Sequence, residues 1–111
     1  MTIPYNSNYN ETLPFSDTCY QVACLVGVEK TITVPGSPMQ QYQAYFEYIQ
    51  TSNVFVRLNG VPTIPAGGTV GTQQYSEFRP EKRYVKGGDV IHFITPDASA
   101  YLGVSLRQLQ G

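Results

Sequence analysis

Residues 100–108, Ala-Tyr-Leu-Gly-Val-Ser-Leu-Arg-Gln, alternate in character from one position to the next. Ala100, Leu102, Val104 and Leu106 fall on one side of an extended chain, and Tyr101, Gly103, Ser105 and Arg107 on the other. That period of two marks a strand with one face buried, and it commits the chain to sheet structure. Upstream, residues 84–95 hold the Gly87-Gly88 break and then the apolar run Val90-Ile91-His92-Phe93-Ile94. Pro96-Asp97-Ala98-Ser99 reads as a turn, with proline presetting φ. The stretch predicts two strands joined as a hairpin.

The same period recurs along the chain. Over residues 18–34, Tyr20, Val22, Cys24, Val26, Val28, Ile32 and Val34 share one parity, and Gly27 marks a bend that splits the segment. Pro35-Gly36-Ser37-Pro38 ends it. Tyr42, Ala44, Phe46 and Tyr48 share a face, as do Val54, Val56 and Leu58. The polar Thr51-Ser52-Asn53 between these runs predicts a second hairpin. Residues 61–68 read as a loop, 69–78 as an edge or partner-facing strand rich in Thr and Gln, and 79–82 as a turn. No segment sustains a 3.6-residue period. The expected fold is all-β: six to eight short strands in a single antiparallel β-sandwich or jelly-roll-like small barrel.

Residues 1–16 stand apart as an extended N-terminal arm ahead of a β domain at 17–111. Asparagines 6, 8 and 10 and the prolines Pro4 and Pro14 argue against a helix. Ile3, Tyr5, Tyr9, Leu13 and Phe15 make the arm too apolar for a solvated tail and mark it as partner-binding. The start of the chain has neither the basic region nor the apolar run of a signal peptide, and no window approaches a membrane span. The expectation is a soluble chain made in the cytoplasm, with no membrane partner.

Charge narrows the choice of partner. Asp, Glu, Lys and Arg make up only 14% of the 111 residues, against ~25% in an average domain, and the net charge is −1. Nine tyrosines and many Gln, Asn and Thr describe a surface suited to other protein surfaces. Nucleic-acid binding calls for a basic balance, so none is expected. Arg79, Lys82, Arg83 and Lys86 do cluster, interleaved with Glu77 and Glu81. They form either a solvated charged face or a contact to an acidic partner. Cys19 and Cys24 lie five apart and point to opposite faces of a strand, so they predict free thiols.

No arrangement of residues spells out a catalyst. His92 is the sole histidine and reads as a satisfied buried or interface residue. A metal site would need further ligands, and no cofactor is expected. Ser99, Ser105 and Cys19 lack the surroundings of a nucleophile. The eight carboxylates are thinly spread, and the Gly67-Gly68 and Gly87-Gly88 pairs lack a phosphate-loop lysine. Aromatic residues Tyr42, Tyr45, Phe46, Tyr48 and Phe55 crowd one stretch and cannot all be core. Tyr45 and Phe55, with the basic cluster, are the candidate surface contacts. Tyr45, Tyr48 and Phe55 would also make a sugar-stacking platform in a carbohydrate-binding module.

Val-Phe-Val-Arg-Leu-Asn-Gly at 54–60, the Pro/Gly loop after it, Tyr-Val-Lys-Gly-Gly-Asp-Val-Ile-His-Phe-Ile-Thr at 84–95 and Ala-Tyr-Leu-Gly-Val-Ser-Leu-Arg-Gln-Leu at 100–109 resemble small virion proteins of tailed bacteriophages. The resemblance implies a head decoration or cement protein, or else a neck or tail component or fibre anchor. It implies no catalytic residue. It also implies location in the virion, the major capsid protein or another virion protein as partner, and homo-oligomers, with a trimer favoured.

Overall fold

The computed structural model describes residue 16, residues 18–65 and residues 76–109. The described residues hold eight strands and no helix: β1 (Thr18–Leu25), β2 (Lys30–Thr33), β3 (Gln41–Tyr48), β4 (Phe55–Leu58), β5 (Glu77–Phe78), β6 (Lys82–Lys86), β7 (Val90–Ile94) and β8 (Ser99–Gln108). Two four-stranded antiparallel sheets result, in the orders β1-β8-β3-β6 and β2-β7-β4-β5.

The pairing has a simple origin. β1 pairs with β8, β2 with β7, β3 with β6 and β4 with β5. The chain is thus one long antiparallel ribbon, bent over on itself so that successive ladder segments fall in opposite sheets. The extra pairings β3–β8 and β4–β7 close the bend. This double Greek key is the jelly roll, an all-β sandwich.

Both predicted hairpins are overturned by this topology. β3 and β4 lie in different sheets, and so do β7 and β8. Their turns are real, but each carries the chain across the sandwich rather than back along the same sheet. The two crossings lie side by side and are stitched together. The Asn53 N–H donates to Asp97 Oδ2 at 2.9 Å, and the Tyr101 N–H donates to Ser52 Oγ at 3.1 Å.

The inward faces follow the period of two. Val22 and Cys24, Tyr42, Ala44 and Phe46, Ile91 and Phe93, and all four apolar residues of the β8 alternation are buried. Phe46 and Phe93 meet edge to face across the two sheets, with ring centroids 6.3 Å apart. Three expected core positions are corrected. Val26, Val28 and Leu58 are exposed, because the first two lie in the connection around Gly27 (φ +68°) and the third ends β4 at the margin. Of the expected strand at 69–78, residues 76–78 are described, and they hold the two-residue edge strand β5.

Opposite the stitched crossings, the sandwich is buckled by Asp89, only 5% exposed. Its Oδ2 accepts the Lys86 N–H at 2.9 Å, and its Oδ1 accepts from Asn59 Nδ2 at 3.1 Å and Lys86 Nζ at 3.2 Å. Asn59, at φ +57°, returns its own Oδ1 to the Val90 N–H at 2.8 Å. The Val34 N–H donates to the Asp89 carbonyl at 2.8 Å, so β2, β4, β6 and β7 are tied at one point.

Candidate functional site

Where β6 and β5 form the margins of the two sheets, the sandwich is incompletely closed. A cavity of about 110 Å³ opens there, lined by Phe46, Val56, Leu58, Val85 and Ile91, with Pro80 and Tyr84 at its sides. Phe46, Val56, Val85 and Ile91 make the buried walls apolar because they occupy inward positions on β3, β4, β6 and β7. The volume suits one apolar side chain.

A charged clasp spans the mouth. Arg83 on β6 reaches Glu77 on β5 with Nη2 to Oε1 at 2.7 Å and Nε to both carboxylate oxygens at 3.1 Å. The hydrogen-bonded guanidinium holds the Glu77 carboxyl below its usual range. Beneath it, the Tyr48 hydroxyl donates to the Pro80 carbonyl at 2.7 Å. Burial pushes the Tyr48 phenol well above the usual tyrosine range, with Arg79 and Arg83 partly opposing. Arg79, at φ +49°, lies 5.1 Å over the Tyr48 ring, and its Nη2 donates to the Gln50 carbonyl at 3.1 Å.

The four basic residues therefore do not act as one patch. Arg83 is committed to Glu77 and Arg79 to the Tyr48 ring. Lys86 pairs with Asp89. Lys82 lies 5.8 Å from the Tyr45 ring, and Arg107 approaches that ring at 5.6 Å. Tyr45 faces outward from the β1-β8-β3-β6 sheet. Phe55 faces outward from the other sheet and packs against Phe78, centroid to centroid 5.0 Å. Tyr48 has the inward parity. The three aromatics expected to form a sugar platform are thus distributed over separate surfaces.

His92 points outward from β7, mostly covered, with Nδ1 2.8 Å from Glu29 Oε2 and its cross-strand neighbours Thr31 and Arg57 on either side. It is satisfied, on the outer layer rather than in the core. Cys19 is exposed and Cys24 buried, both as free thiols, and burial raises the Cys24 thiol pKa. No cluster of three or more His, Cys, Asp or Glu suited to a metal occurs among the described residues, and no helix there is long and apolar enough to cross a membrane. The candidate arm contacts Ile3, Tyr5, Tyr9, Leu13 and Phe15 lie outside the described residues.

Sequence reading missed the cavity. Its walls come from four strands whose spatial order no local pattern encodes, and the local signal that did exist was the inward parity of Phe46 and Val56 within their own strands. No protein-family model, curated protein or solved structure matches this chain.

Proposed function

We propose that this chain is a structural virion protein that binds the surface of a bacteriophage head and cements or decorates it, with the major capsid protein or another virion protein as partner. The observation that carries the reading is the wound ribbon itself. The jelly roll is a rigid plug cross-tied at both ends, and it leaves an uncharged strand, β1, at the margin where residue 16 joins the N-terminal segment. Ser16 is pinned there, its hydroxyl donating to the Leu106 carbonyl. A segment starting from a fixed point beside an open margin suits strand addition on a neighbouring subunit. Repetition over a lattice multiplies such weak contacts. Jelly rolls serve many roles, viral capsid domains among them, so the fold supports the reading by analogy.

Particle attachment tests it. Full-length protein is expected to co-sediment with phage heads in hundreds of copies, and a chain lacking residues 1–15 to remain folded but unattached. A dozen copies or fewer would move it to the neck or tail. Attachment by the truncated chain would refute the role given to the arm. The glycan reading gains nothing from the geometry, since Tyr45 and Phe55 project from opposite sheets.

A further inference from the structure

Four strands form the margins of the two sheets, and three are guarded. β2 has four residues and begins with Lys30. β5 has two residues. β6 carries Lys82, Arg83 and Lys86 among its five residues. Short edges and edge charges are the usual protections against pairing with another chain. β1 has neither: Thr-Cys-Tyr-Gln-Val-Ala-Cys-Leu runs for eight residues without a charge or a proline. Among the described residues its only ladder partner is β8, which leaves its other edge unpaired.

We infer that β1 is an interface between two copies of this chain, joined antiparallel across a two-fold axis into one eight-stranded sheet. A copy is the favoured occupant because, among the described residues, the guarded edges leave β1 as the one long uncharged edge a copy can offer. A contact of β1 with β1 is isologous and closes at two. The pleat then fixes the register. Opposed residues in an antiparallel pair face the same side. The axis must therefore pass through a residue rather than between two. Centring on Val22 opposes Gln21 to Ala23 and Tyr20 to Cys24, and it sets the exposed Leu25 against the exposed Cys19. Centring on Gln21 would instead leave the exposed Leu25 without a partner on β1. The apolar match selects Val22. This dimer replaces the trimer implied by the resemblance, and it stands independently of the virion reading.

The full-length protein should show a mass twice 12.3 kDa by light scattering at tens of micromolar. Gln21→Lys with Ala23→Lys, both exposed outward positions, sets like charges opposite one another at the axis. Association should weaken at least about tenfold, with the melting curve retained. Gln21→Cys with Ala23→Cys in a Cys19→Ser background should give an interchain disulfide on mild oxidation, since opposed Cα atoms lie within reach. That cross-link decides the matter even if the lysine variant fails to fold. A monomer at every concentration would overturn the inference. So would an oligomer indifferent to the lysines, or a monomer whose β1 amides resist hydrogen exchange because the chain's own N-terminal residues cover them.

Discussion

Asp89 shows how one side chain can fix a turn, a strand end and a pH dependence together. Burial alone would raise its pKa. The Lys86 amide, the Asn59 side chain and the Lys86 ammonium outweigh burial and hold the carboxyl below its usual value. The unfolded chain therefore takes up this proton first as pH falls. The stability Asp89 contributes is complete above about pH 4, where an unfolded aspartate is ionised. It is lost as pH falls through the lower folded value. Asp89→Asn should cost about 1–3 kcal/mol at neutral pH, through its charged hydrogen bonds. The gap to the parent should narrow towards pH 3, a trend that urea melts across the acid range would read. Asp89→Ala, which strands the Asn59 amide, should cost more. The Glu77–Arg83 clasp is different in kind. Both side chains are about half exposed. Glu77→Gln is accordingly expected to cost no more than about 1 kcal/mol, less in high salt.

Among the elements, two glycines separate turn chemistry from strand chemistry. Gly87 is buried in the β6–β7 turn, where a Cβ would sit 2.2 Å from the Ser37 carbonyl oxygen and 2.6 Å from Gly36 backbone atoms. Backbone cannot step aside as a side chain can, so Gly87→Ala should destabilise by about 3 kcal/mol or more. Gly103 lies mid-strand in β8, where a Cβ would approach no closer than 4.0 Å to the Tyr20 carbonyl oxygen. Gly103→Ala should be neutral or add about 0.5 kcal/mol by restricting the unfolded chain. Thermal melts of the two variants would test the contrast. The glycine break at 87–88 was legible in the sequence; its close approach to residues 36 and 37 was not. The same division runs through the fold. Parity told which side chains of β1, β3 and β8 face inward, because extended geometry alone sets it. It was silent on neighbours, since a short polar turn such as 51–53 serves a hairpin and a crossing equally well. The two hairpins failed for that reason, and the cavity beside β5 and β6 stayed invisible for the same one.

At the scale of the whole molecule, the two sheets must be held in one register with no disulfide between them among the described residues, as both thiols are free. Phe46 on β3 and Phe93 on β7 carry that task at the centre, their rings inclined at 64°. Each belongs to a different sheet, so their contact is a direct measure of coupling between the layers. Phe46→Leu and Phe93→Leu should each destabilise by about 1–2 kcal/mol, as shape changes in a packed core do. The double variant should lose less than the sum, because the edge-to-face contact can be lost only once. A coupling of about 0.5–1.5 kcal/mol is the expected outcome of the cycle. Strict additivity would mean that the sheets are held instead by the tied ends, at Asp89 and at the Asn53–Asp97 and Tyr101–Ser52 stitching. The ribbon topology makes that alternative physically meaningful. β1 and β8 join residues 18–25 to residues 99–106, so the ends of the ribbon meet only when the whole chain has wound up. A molecule built this way forms its longest-range pairs at a high entropic cost. Coupling at the Phe46–Phe93 contact would show that the wound state is secured through its core, which is what a rigid plug requires.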